Sequence, residues 1–275
     1  MLTLIDLLTA VLPLLYGLAT VNYVVYFVRR DAFAERTCSR FLFAIFVAHV
    51  GFFVVRSLTF HRYPIVSMPE ALSAVALSIT GTYLYVERIQ RSKVTGAFLI
   101  AMVALVQIVA STLLQHGDTP SPLLEDNSVY GFHAIIAVLS YSALVVGAVY
   151  GLMFTLLYRA LKLKRFGLLF DRLPPLDTLA GMGFGATLLG WAFMTLTIGL
   201  GVVMSLSRVP AFWRDPHTIT ATLVWTVYGV AVGAYFVLGW RGARAVYLSL
   251  AGFLFALVAN IAAALGWPSF HQFTG

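Results

Sequence analysis

Thiols are nearly missing from this chain. Its one cysteine, Cys38, excludes an intramolecular disulfide and any Cys-x-x-Cys redox or metal pair. Charge is scarce as well. Asp, Glu, Lys and Arg make up 11% of the 275 residues, against about 25% in an ordinary soluble domain. No Ser/His/Asp constellation, paired catalytic carboxylates or zinc spacing stands out. The glycine-rich GMGFGATLLG at 181–190 lies within an apolar run, not between a strand and a helix. It reads as close helix packing through small residues, not as a phosphate loop. Short alternating segments, the mark of a membrane β-barrel, are absent too.

What remains is apolar. Hydrophobic residues make up 60% of the chain and the mean hydropathy is +0.90. Runs near 20 residues recur, each long enough to cross ~30 Å of hydrocarbon. Backbone groups in lipid must pair within their own segment, so such runs are helices. Eight spans are predicted, at about 7–28, 41–59, 66–86, 96–115, 132–157, 178–205, 217–237 and 246–266. The first is read as a retained helix, because more spans follow it and no small-residue cleavage site does. The expected fold is all-α: a polytopic membrane helical bundle of about eight transmembrane helices, forming one integral membrane domain over residues 1–275.

The formal charge of +7 marks cytoplasmic loops, not a nucleic-acid surface. Four loops, preceding the second, fourth, sixth and eighth spans, hold four, three, five and two of the 18 Lys and Arg. The positive-inside rule puts these loops in the cytoplasm and both termini outside. Membrane lipid is then the first partner, and a bacterial inner (plasma) membrane the expected location.

That topology sorts the six histidines. His61, His116, His133, His217 and His271 fall at the outer face. Only His49 falls within a span, where a neutral imidazole needs a protein partner or a cavity. It is either a helix–helix hydrogen bond or a site. His133 opens the fifth span and His271 lies just past the eighth. Between the sixth and seventh spans, on the same face, lies RVPAFWRDPHTITATLVW at 208–225. Two imidazoles flanking an aromatic surface suit an iron-bearing planar macrocycle. Imidazole nitrogen ligates haem iron, Trp and Phe faces stack on the ring, and Arg208 and Arg214 can pair with propionates. A quinone, lipid or peptide groove would have the same composition. Other readings attach to single residues. Asp215 can cap the seventh helix with Pro216 at its first position. Trp191, Trp225, Trp240 and Trp267 can be interfacial anchors, and Arg56 can snorkel.

FWRDPHTITATLVW resembles the central signature of the cytochrome c assembly family, which reads roughly W-x-W-D-P-K-E-x-W before a further Trp. Asp215, Pro216 and Trp225 keep their places. Phe212 and Arg214 stand where Trp is expected, Trp213 is shifted between them, and His217 and Thr218 replace Lys and Glu. GWRGARAVYLSLAGFLFAL and VVRSLTFHRYPIVSMPEALSAVAL, with Pro64 and Glu70, match further stretches of the family. The chain is similar to CcsA/ResC-like members and closest in size to the HemX- and YpjD-type proteins. The resemblance implies haem b at the outer face, with His133 and His271 as axial ligands and Phe212, Trp213, Asp215 and Trp225 around it. It also implies that His49 matches the first histidine of an intramembrane pair whose second position is Gly233 here. A partner membrane protein with a large outer domain, and apocytochrome c, follow from the same resemblance. An accessory haem-handling role is expected over complete synthase activity, because this chain has no such outer domain. The alternative is a structural subunit of a larger membrane complex with a vestigial haem site.

Overall fold

The computed structural model of the chain describes residues 2–61, 65, 67–90, 92–114, 128–208 and 215–266. Among them there is no strand. The helices are α1 (Leu2–Arg29), α2 (Ala32–Phe60), α3 (Met68–Gln90), α4 (Gly96–Leu113), α5 (Ser128–Lys162), the short α6 (Leu168–Arg172), α7 (Leu176–Arg208), α8 (Pro216–Phe236) and α9 (Ala243–Gly266). The eight long ones correspond to the eight predicted spans. Seven are long and apolar enough to cross a membrane, α3 being the exception. The protein is therefore an all-α, multi-pass membrane protein.

The chain forms two compact units. One comprises Met1–Asp118 with Gly167–Leu173, and the other Thr119–Phe166 with Pro174–Gly275. In the first, α1 packs on α2 and α4, and α3 on α2 and α4. The helices there are inverted relative to a soluble protein. α1 turns Leu7, Leu14, Leu18 and Val21 outward, and buries Tyr16 and Tyr23 among its apolar neighbours. With lipid as apolar as leucine, helices gain little by hiding leucine from it. Close packing and hydrogen bonds hold them together instead.

α3 shows this most clearly. Its Glu70, Ser73, Thr80, Tyr83 and Glu87 are all buried, so its low apolarity is turned inward. Its start is a capping box, with Glu70 Oε2 accepting from the Ser67 N–H at 3.1 Å and the Glu70 N–H donating to Ser67 Oγ at 3.4 Å. α2 begins nine residues before its predicted span. Asp31 caps it by accepting from the Ala34 N–H at 2.8 Å, and Ala34 and Cys38 are buried. A polar stretch read as loop is thus mostly helix.

In the second unit α5 packs on α7 and α9, and α7 and α9 both pack on α8. Its tightest seam, between α5 and α7, positions a histidine.

Candidate functional site

α5 and α7 run antiparallel, and small residues spaced by seven set their register. Gly147 lies against Gly183, where an added Cβ would come within 3.1 Å of the Gly183 carbonyl. One heptad on, Ser140 Oγ donates to the Gly190 carbonyl at 2.8 Å. A Cβ on Gly190 would fall 2.6 Å from Leu144 Cδ2 and 3.1 Å from the Leu144 backbone nitrogen. Glycine is needed there because the Leu144 side chain and backbone together occupy the space. The next heptad brings His133 against Thr197, with 3.0 Å between His133 Nδ1 and the Thr197 carbonyl oxygen.

A carbonyl only accepts, so Nδ1 carries the proton in this bond. In the neutral ring the lone pair then sits on Nε2. The imidazole is half-buried. It stacks on Tyr130, with ring centroids 6.5 Å apart and planes at 23°, and Tyr130 packs with Met204 of α7. A histidine oriented through one nitrogen by a backbone carbonyl, with the other as Lewis base, is the arrangement that metal-binding imidazoles use.

α7 and α8 are joined by two tryptophans. Trp191 Nε1–H donates to the Trp225 carbonyl at 3.1 Å, and Trp225 Nε1–H donates to Thr195 Oγ1 at 2.8 Å. The rings stack at 5.9 Å and 16°. Asp215 is the N-cap of α8 with Pro216 at the first turn, as read from sequence, although its buried side chain makes no capping hydrogen bond. Thr195 and Thr197 are two residues apart, about 200° around α7, the first exposed and the second buried. Trp225 and His133 therefore engage opposite sides of α7. Phe212, Trp213, Arg214 and His271, and the side chain of Arg208, lie outside the described residues.

His49 belongs to the other unit. It is completely buried and stacks on Phe53 at 5.5 Å and 14°. Thr80 Oγ1 lies 3.1 Å from Tyr16 Oη, Tyr16 Oη 3.0 Å from His49 Nδ1, and His49 Nε2 2.9 Å from Ser73 Oγ. Ser73 gives its one hydroxyl proton to Gln107 Oε1 at 3.1 Å, and Gln107 Nε2 donates to Ser111 Oγ at 3.1 Å. The directions are then fixed. Since the Ser73 proton points to Gln107, His49 Nε2–H is the donor to Ser73, and Nδ1 accepts from Tyr16. Both imidazole nitrogens are committed, and the string ties α1, α2, α3 and α4 together.

Sequence reasoning missed two further buried groups. Arg56 is 2% exposed and does not snorkel. Its Nε donates to Glu70 Oε1 at 3.0 Å, and its guanidinium lies over the rings of Phe52 and Phe60. Glu87 accepts from Tyr23 Oη at 2.6 Å and from the Ser39 hydroxyl. The available signals were the Ser67-x-x-Glu70 box and the heptad spacing of Ser73, Thr80 and Glu87.

The sequence model of the family described as "Cytochrome C assembly protein" matches residues 65–265. The chain belongs to the cytochrome c assembly family. Relatives of this family member include "Cytochrome c biogenesis protein CcsA" of Heterosigma akashiwo, 24% identical over 239 residues and 74% of each chain. "Protein HemX" of Brevibacillus brevis is 24% identical over 220 residues, covering 78% of this chain and 80% of that one. The Synechococcus elongatus protein named CcsA is 22% identical over 237 residues, covering 70% and 73%. The family match takes in His133, the 208–225 segment and Trp225. It begins after His49 and ends before His271.

Proposed function

We propose that this cytochrome c assembly family protein handles haem b at the outer face of a bacterial inner membrane, in cytochrome c assembly or its regulation. The observation that carries the reading is the bond from His133 Nδ1–H to the Thr197 carbonyl. It fixes the tautomer whose Nε2 is an axial-ligand nitrogen, and the α5–α7 seam holds the ring in place. The chemistry of the residue types gathered by this reading suits haem. His133 would ligate the iron together with His271. Phe212 and Trp213 would face the ring, Arg208 and Arg214 would pair with its propionates, and Asp215 would order the loop that carries them. Trp225 would support that loop from beneath, through its contacts with Trp191 and Thr195. When bound, haem supplies the prosthetic group destined for thioether attachment, or the ligand that a regulator senses.

His49 has a different part. Both its nitrogens are in hydrogen bonds and no surface of it is exposed, which supports a structural role over an inner haem site. The reading therefore places haem at the outer face and gives His49 no part in holding it. The reading is then an accessory that presents or senses haem, with both termini outside. It would work beside a membrane protein whose large outer domain receives the apocytochrome.

The test is the absorption spectrum of the full chain purified in mild detergent, before and after haem is added. A Soret band is expected in the wild type, and its loss in His133→Ala. A wild type without a Soret band after haem addition overturns the proposal.

A further inference from the structure

The opposite end of the second unit, where α5 and α8 finish and α9 begins, carries a built cationic feature that haem handling does not use. Six residues, 237–242, reverse the chain between α8 and α9. Gly239 and Gly242 take positive φ, at 65° and 55°, and the Trp240 N–H donates to the Ala234 carbonyl at 3.1 Å. This fold-back lays Arg241 on an aromatic stack. Its guanidinium carbon is 3.7 Å from the centroid of Tyr235, and Tyr235 stacks on Phe184 of α7 at 3.4 Å and 12°.

A guanidinium seated over a ring loses little further freedom on binding and can still offer N–H donors, which suits a phosphate. Cations predominate in the surroundings, with Asp177 in the first turn of α7 as an acidic neighbour at this end. Arg244, Lys162, Lys164 and Arg165 are exposed at this end of the unit, and no ion pair among the described residues involves any of them or Arg241. Four and three residues before Arg241, Val237 is 82% exposed and Leu238 62%. Within five residues the surface passes from apolar to cationic. Free phosphate would leave Val237 and Leu238 without a partner, whereas a phospholipid satisfies both halves.

We propose that this end of the second unit binds an anionic phospholipid, with Arg241 gripping the phosphate and Val237 and Leu238 against the acyl chains. Arg244, Lys164 and Arg165 raise the local preference for negative headgroups.

The experiment uses the full chain, delipidated in neutral detergent, with native mass spectrometry counting bound lipid. Dioleoylphosphatidylglycerol, dioleoylphosphatidylcholine and inorganic phosphate form three separate titrations. The wild type is expected to retain phosphatidylglycerol over phosphatidylcholine and to hold no inorganic phosphate. A single juxtamembrane cation is worth about fivefold in affinity. Arg244→Gln should cost about that much, and Arg241→Gln more, because the fixed fork is lost as well. Arg241→Lys keeps the charge without the planar fork and should fall below wild type. Tyr235→Leu, which leaves every charge in place, should weaken binding too. Equal retention of the two lipids, binding of phosphate alone, or an Arg241→Lys variant equal to wild type would overturn the proposal. Should Arg241→Gln not fold, Arg241→Lys and Tyr235→Leu decide.

Discussion

Replacing Gly190 by alanine is the sharpest probe of the seam that holds His133. The added methyl would lie 2.6 Å from Leu144 Cδ2 and 3.1 Å from the Leu144 backbone nitrogen. The Cδ2 tip can turn away, but Leu144 Cγ at 2.8 Å and the backbone nitrogen cannot, so α5 and α7 must shift apart locally by a few tenths of an ångström. Overpacking of this kind costs about 1–3 kcal/mol. The Ser140 bond to the Gly190 carbonyl and, one heptad further, the His133 bond to Thr197 would lengthen together. Gly199→Ala is the matched control. It lies on the same helix, nothing is within 4 Å of its added carbon, and alanine improves helix propensity by up to about 1 kcal/mol. Thermal unfolding in detergent, followed by circular dichroism, should rank Gly199→Ala at or above wild type and Gly190→Ala clearly below. Spectra of haem-reconstituted protein should show a weakened Soret band for Gly190→Ala alone. If the two variants melt alike, the seam does not set the register and the reasoning fails.

Further outcomes follow from buried polar groups. Glu70→Gln leaves Arg56 as an uncompensated buried cation and should cost about 3–5 kcal/mol. The double variant Arg56→Met, Glu70→Gln, which removes the cation and keeps a capping-box side chain opposite Ser67, should recover most of it in the same melts. Tyr16→Phe removes the donor to His49 Nδ1 and should cost about 1–3 kcal/mol while leaving the Soret band unchanged. A changed band would bring His49 back as a ligand. Trp225→Phe loses the bond to Thr195, worth about 0.5–1.5 kcal/mol, and keeps most of its ring area. Its stability should fall slightly with haem retained, and complete haem loss would show that the indole itself meets the ring.

Seven of the eight long helices were legible because apolar runs of 20 residues have few other readings. So was the Asp215–Pro216 start of α8, a local signal within three residues. The beginning of α2 was not legible, because hydropathy marks where lipid starts and a capped helix continues into water. Nor were the partners of His49. Tyr16 is 33 residues away and Ser73 is 24, and a helix that is apolar on every face gives no periodicity to show which side is inward. Arg56 was misread for the same reason, since an arginine near a helix end snorkels unless a carboxylate on another helix holds it. Histidine 133 was chosen for its place at a helix mouth and its family likeness. Its tautomer, which makes it chemically suitable, depends on a carbonyl 64 residues away.

The central claim is that His133 presents a haem-ligating nitrogen. The most direct measurement is the reduced-minus-oxidised difference spectrum of the purified, haem-reconstituted full chain, taken for wild type, His133→Ala and His49→Gln. The account predicts sharp b-type α and Soret bands in wild type and His49→Gln, and their loss in His133→Ala. Bands that survive His133→Ala, or vanish only in His49→Gln, would contradict it.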